Sequence, residues 1–161
     1  MNLFCFIFAI LAIINCVQSK VVHKREIQHE VGEIKGLNKV ELKNLELKAL
    51  EECRVEFNVD KSKIEDYRKA DCDMPSDENF KKALACYGER MGFVVKGKIN
   101  GEKVKQAVEI FRHDNKENLD KALNVINDCE GKSYEGLNNI EVAFKYGKCI
   151  HDGYAQAGVS Y

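Results

Sequence analysis

From Pro75 to Gly101 the chain reads P-S-D-E-N-F-K-K-A-L-A-C-Y-G-E-R-M-G-F-V-V-K-G-K-I-N-G, and its apolar residues fall on a helical period. Phe80, Ala83, Leu84, Tyr87 and Met91 stand at i, i+3, i+4, i+7 and i+11, the stripe of a core-facing helix. Lys81, Lys82, Glu89 and Arg90 occupy the wetter sides. Ser76 can accept a hydrogen bond at the N-terminus, Asp77 and Glu78 suit the positive end of the helix dipole, and Gly92 suits a left-handed C-cap. Cys86 lies about 120° from the centre of the stripe, at roughly 100° per residue. There it can tie this helix to a neighbour while Tyr87 and Met91 face inward.

The other elements are predicted around this helix. Leu42, Leu45, Ala49, Leu50, Cys53 and Phe57 make an uneven apolar face over Val40–Phe57, with Glu, Lys and Leu as helix formers between them. Asn58 interrupts it, and Asp60 is a good N-cap for a short helix through Ile64 and Tyr67. Residues 71–75 form a loop that ends on the only proline, Pro75. Phe93-Val94-Val95 reads as a short apolar connector and Lys96-Gly97-Lys98 as a turn. Asn100 caps a helix with Val104, Ala107, Val108 and Phe111. Another helix follows Asn115, with Leu119, Ala122, Leu123 and Ile126, and ends at Gly131. The last runs from about Asn138 past Cys149, carrying Ile140, Ala143, Phe144, Tyr146 and Ile150. Residues 151–161 are read as a tail with Tyr154, Val159 and Tyr161 as anchors. No strand stands out. The expected class is all-α, with six helices.

Residues 1–19 hold no charge, and Leu3 to Ile14 are nearly all apolar. Val17 and Ser19 place small residues at −3 and −1 of a cut before Lys20, the pattern of a secretory signal peptide. The run is shorter than the roughly 20 residues a membrane span needs. The expected organisation is therefore a signal peptide over 1–19, a loosely ordered arm over 20–37, and one helical domain over 38–161. The expected location is extracellular, with no stable membrane insertion.

Cleavage would remove Cys5 and Cys16 and leave Cys53, Cys72, Cys86, Cys129 and Cys149. In a small secreted chain cysteines read as a disulfide framework, and an odd number leaves at least one over. The net charge is −1, against the basic excess that nucleic acid would require. Gly92 to Ile99 is one residue from a phosphate-binding loop. It fails because Ile99 replaces the Mg²⁺-binding hydroxyl and the segment follows a helix. His23, His29, His113 and His151 form no zinc-ligand spacing, so neither metal nor cofactor is expected. Asp71 and Asp73 flank Cys72 and oppose thiolate formation there, and no other nucleophile is set up. The chain is not expected to be an enzyme.

Cysteine spacing on helices remains. Cys53 is followed by Cys86, Cys129 and Cys149, in the contexts K-A-L-E-E-C-R-V-E-F, A-C-Y-G-E-R-M-G, V-I-N-D-C and E-V-A-F-K-Y-G-K-C-I. This combination resembles the insect odorant-binding proteins of the pheromone and general odorant-binding family, over roughly Leu42 to Ile150. These four cysteines match the first, third, fourth and sixth of that family. Lys82 and Ile140 stand at the second and fifth, so the chain resembles a minus-cysteine type that lacks one whole bridge.

The resemblance implies Cys53–Cys86 and Cys129–Cys149 bridges, each stabilising by about 3–4 kcal/mol in the chain-entropy model. Cys72 is then the expected free thiol, or a link between two chains of a dimer. Sequence alone leaves open Cys72 pairing with Cys53 or Cys86. The resemblance also implies an apolar internal cavity binding small hydrophobic ligands such as odorants, pheromones or similar semiochemicals. Phe57, Tyr87, Met91 and Val108 are the candidates for its lining, with Phe111, Leu123, Ile126 and Phe144, and Tyr146 beside them. Apolar stripes alone require no cavity, and a solid core is the plainer reading of the same residues. The rival function is a secreted salivary, venom or reproductive-fluid protein that uses the surface of the same scaffold.

Overall fold

The structure, a computed structural model, describes residues 33–69 and 72–159. The expected signal peptide, Cys5, Cys16 and Tyr161 lie outside the described residues. So does the expected arm up to residue 32. At its described end, Ile34 is buried against Leu42, Ala49, Met91 and Ala107.

Six helices form among the described residues: α1 Lys39–Glu56, α2 Lys61–Tyr67, α3 Glu78–Arg90, α4 Gly101–Arg112, α5 Lys116–Glu130 and α6 Asn139–Ala157. The class is all-α, as the periodicity predicts. Short polar side chains set most of the starts. Asn38 closes a capping box on α1: its Oδ1 accepts from the N–H groups of Val40 and Glu41 at 2.9 and 3.0 Å, and Glu41 accepts from the Asn38 N–H at 2.8 Å. Asn100, Asn115 and Asn138 cap α4, α5 and α6 in the same way. Asp77, not Ser76, caps α3, accepting from the Phe80 N–H at 3.2 Å.

Two helix ends show why the chain turns where it does. After α1, Asn58 takes a left-handed φ of 50°, and the Val59 N–H reaches back to the Arg54 carbonyl at 2.9 Å. After α3, Gly92 has φ 69°, and the Phe93 N–H donates to the Gly88 carbonyl at 2.8 Å. The connector beyond differs from expectation. Val94–Val95 (β1) and Lys98–Ile99 (β2) pair as a minimal hairpin, with Val94 opposite Ile99. Lys96 and Gly97 both have positive φ, 51° and 73°, as a two-residue primed turn demands. Two-residue strands are too short to show an alternating pattern, so the sequence reads them as a turn. The expected tail is also corrected. Helix α6 continues to Ala157 because Tyr154 has a buried site against Ala122 and Val159.

The helices close a ring. Helix α3 packs between α1 and α6, α6 meets α5, α5 meets α4, and α4 returns to α1. The α1–α4 seam is the lightest of these contacts. Two disulfides staple two of the heavier ones: Cys53–Cys86 joins α1 to α3 and Cys129–Cys149 joins α5 to α6, with Cα separations of 5.8 and 5.9 Å. Cys72, half-buried, belongs to neither bridge. Across α3 and α6, Lys81 Nζ lies 3.3 Å from Glu141 Oε1. The helices carrying Lys82 and Ile140 therefore touch next to these two positions.

The α5–α6 contact depends on a missing side chain. A Cβ at Gly153 would come 2.5 Å from Val125 Cγ1. Val125 is β-branched and has little rotamer freedom to yield. Gly153→Ala gains up to about 1 kcal/mol of helix propensity. Overpacking costs about 1–3 kcal/mol. The variant is expected to unfold at lower urea than the natural chain, and equal or higher stability would show that the two helices separate freely.

Candidate ligand-binding site

Inside the ring lies a cavity of about 670 Å³, within the range of small-molecule sites. Its apolar wall is Leu84 and Tyr87 on α3, Phe93 and Val94 after it, Val104, Ala107, Val108 and Phe111 on α4, and Ala143, Tyr146 and Ile150 on α6. Its polar rim is Lys39 and Lys43 on α1, Arg68 after α2, Arg112 at the end of α4, and Asp114, Asn115 and Asn118 beyond it. The rim brackets the α1–α4 seam, which the exposed Lys39–Asp114 ion pair crosses at 3.0 Å. Water and salt screen such an exposed pair, so it adds little to stability.

Three of the eight predicted lining residues reach the cavity: Tyr87, Val108 and Phe111. Tyr146 does so as well. The other five stand behind it. Phe57 packs on the Cys53–Phe80 cluster. Met91 is fully buried among Ile34, Leu42 and Ala107. Ile126 is fully buried between Val104, Cys129 and Tyr146. Leu123 is half-buried on α5, outside the lining. Phe144 joins the Cys53–Phe80 cluster, with Lys81 Nζ 5.0 Å above its ring. The reason is geometric. An apolar helix stripe is more than about 100° wide, so only its inner edge meets the cavity while the rest meets the neighbouring helices.

The sequence reading named Tyr87 but missed Glu46 and did not place Tyr67 or Tyr154 at the cavity. Glu46 follows Leu42 by one helical turn and precedes Leu50 by another, so it is a carboxylate on the apolar face of α1. That misplaced charge was its visible signal. Glu46 borders the cavity, and Tyr87 Oη donates to its Oε1 at 3.0 Å. Tyr67 and Tyr154 line the same region. Tyr67 stacks on His151 at 6.0 Å and meets Phe80 edge-on at 5.7 Å. Tyr87 meets Phe93 edge-on at 6.0 Å. Glu46, Tyr67 and Tyr87 all keep some accessible surface although protein surrounds them, because that surface faces the cavity.

This enclosure sets their acidity. Burial pushes the Glu46 carboxyl from its ordinary 4.5 up to about 7, against smaller opposing effects of the Tyr87 hydrogen bond and the Arg68 charge. Burial, then the Glu46 charge, raise the Tyr67 and Tyr87 hydroxyls well above the usual phenol range. Burial pushes Tyr154 up to about 12, while Arg112, 5.4 Å over its ring, pulls the other way. Among the described residues no group of histidine, cysteine and carboxylate side chains is placed to hold a metal ion. No helix there is long and apolar enough to cross a membrane.

A ring of helices, stapled by two disulfides around a cavity with an apolar wall, a charged rim and the Glu46–Tyr87 pair inside it, is the build of a small-molecule binding protein. The chain matches the PBP/GOBP family over residues 37–153, and it belongs to that family. Members are small soluble carriers of odorants and pheromones, and they are binding proteins rather than enzymes. No curated protein and no solved structure matches the chain.

Glu46 also makes the fold sensitive to pH. Its carboxyl binds protons more tightly folded than unfolded, so its contribution is complete below about pH 4.5 and is lost as pH rises through about 7. Between pH 5 and 8 this loss is about 1–3 kcal/mol. Glu46→Gln removes the titration. Urea unfolding at both pH values is expected to show the natural chain losing more stability than the variant, and parallel losses would place Glu46 in water.

Proposed function

We propose that this protein is a secreted carrier that holds a small hydrophobic molecule in the cavity between its helices and moves it through aqueous extracellular fluid. Residues 1–19 serve as the signal peptide, and the mature chain begins at Lys20. The single observation that supports the binding role is the cavity itself, unfilled by the described side chains and walled by Leu84, Val104, Ala107, Val108, Phe111 and Ile150. Burying an apolar ligand there removes its surface from water at roughly 25 cal/mol per Å². The rim at the α1–α4 seam, with its one exposed ion pair, is the entrance.

The test compares two phenylalanines. Phe111 faces the cavity and Phe144 does not. Phe111→Ala is expected to weaken binding of a neutral fluorescent apolar probe by about tenfold. That is the effect of about 1.4 kcal/mol of lost contact. Phe144→Ala is expected to destabilise the fold by about 3–5 kcal/mol and leave the affinity of the folded fraction nearly unchanged. Equal effects of the two variants on affinity would remove the cavity from the function. Secretion is checked separately: N-terminal sequencing of material from the culture medium should begin at Lys20, and a sequence beginning at Met1 would refute cleavage.

A further inference from the structure

The charged groups on the cavity wall are not equivalent. Asp114 is ion-paired to Lys39 at 3.0 Å. Arg112 lies 5.4 Å over the Tyr154 ring and hydrogen-bonds that side chain. Lys43 and Arg68 are exposed at the rim. Glu46 is different. It sits inward of that rim, its Oε1 takes the Tyr87 hydroxyl at 3.0 Å, and among the described residues no cation is in ion-pair contact with it. Among the described residues its other oxygen takes no hydrogen bond, and the Tyr146 hydroxyl elsewhere on the wall has no partner either. The rings of Tyr67, Tyr87 and Tyr154 line the same part of the wall, with Phe93 beside Tyr87.

An unpaired carboxylate enclosed by aromatic rings is complementary to one kind of head group. An ammonium supplies the missing counter-charge and up to three N–H donors, and its charge is attracted to the ring faces. A neutral hydroxyl or carbonyl supplies neither the charge nor the ring attraction, and a carboxylate head would be repelled. We infer that this cavity selects small apolar amines, seating the ammonium between Glu46 and the tyrosines and the hydrocarbon along Val104, Val108, Phe111 and Ile150. The inference rests on the carrier reading and names its ligand class.

The groups facing Glu46 set the pH at which this works. Tyr67, Arg68, Tyr87 and Tyr154 interact with it electrostatically, and Lys43, one turn before it on α1, and Arg112 on α4 border the same cavity. Burial keeps the three tyrosine hydroxyls neutral across the useful range, so it is the Glu46 carboxyl that changes state there. Below its own titration Glu46 must lose a proton to pair with the ammonium, so amine affinity rises with pH through neutrality. A neutral ligand has no such dependence.

Octylamine, octanol and octanoate share one hydrocarbon tail and can each be titrated against a bound neutral fluorescent probe. At about pH 8 octylamine is expected to bind about tenfold more tightly than octanol, with octanoate weakest. The preference is expected to shrink severalfold at about pH 5.5. It is expected to vanish in Glu46→Gln, where octylamine and octanol should bind within about twofold of each other. Octanol matching the amine, or an amine preference that survives Glu46→Gln, would overturn the inference and leave the carrier reading intact. Tightest binding of octanoate would overturn it too and move the head group out to Lys43 and Arg68. If the probe and all three ligands fail to bind a folded protein, the carrier reading itself fails.

Discussion

An unfilled space between helices removes contacts that a packed core would have. Each methylene facing the cavity lacks the dispersion partners it would find against another side chain, and a domain of this size has only about 5–15 kcal/mol of net stability to lose. The ring therefore depends on what holds its helices in place from outside the cavity. Cys53–Cys86 and Cys129–Cys149 do this at two contacts, and solid clusters do it elsewhere. Phe80, Ala83 and Leu84 anchor one side of α3 with Cys53, Val59 and Met74, while Met91 anchors its end among Ile34, Leu42 and Ala49.

The same arrangement explains where the ring can open. The two disulfides join α1 to α3 and α5 to α6, so neither crosses the α1–α4 seam. That seam has the fewest neighbours and is bridged at the surface by Lys39 and Asp114. Stability and access are thus assigned to different contacts. The strong ones keep the cavity's shape, and the weak one lies at its mouth.

Polarity inside the cavity follows from the same economy. A buried carboxyl with a single hydrogen-bond partner destabilises the empty fold as pH rises through neutrality. The penalty disappears when a ligand supplies the missing partner. Glu46 therefore couples folding to protonation through one side chain, which the Tyr87 hydroxyl orients.

The sequence by itself determined the all-α class, most of the helix boundaries and the family. These are encoded locally: a 3.6-residue period needs only neighbours along the chain, Asn38, Asn100, Asn115 and Asn138 cap the helices they precede, and the cysteine spacings survive without reference to contacts. Only the tertiary structure decided which apolar residues face the cavity. Tyr87 and the C-cap Met91 lie on one stripe of α3, yet Tyr87 borders the open space while Met91 is sealed, because Ile34, Leu42, Ala49 and Ala107 converge on Met91. It also decided that the chain after Cys149 stays helical, since Tyr154 has a site only when α5 is beside it. Glu46 shows the boundary between the two kinds of information. Its sequence position marks a charge on an apolar face, but whether that charge reaches water, a salt bridge or a cavity depends on helices far along the chain.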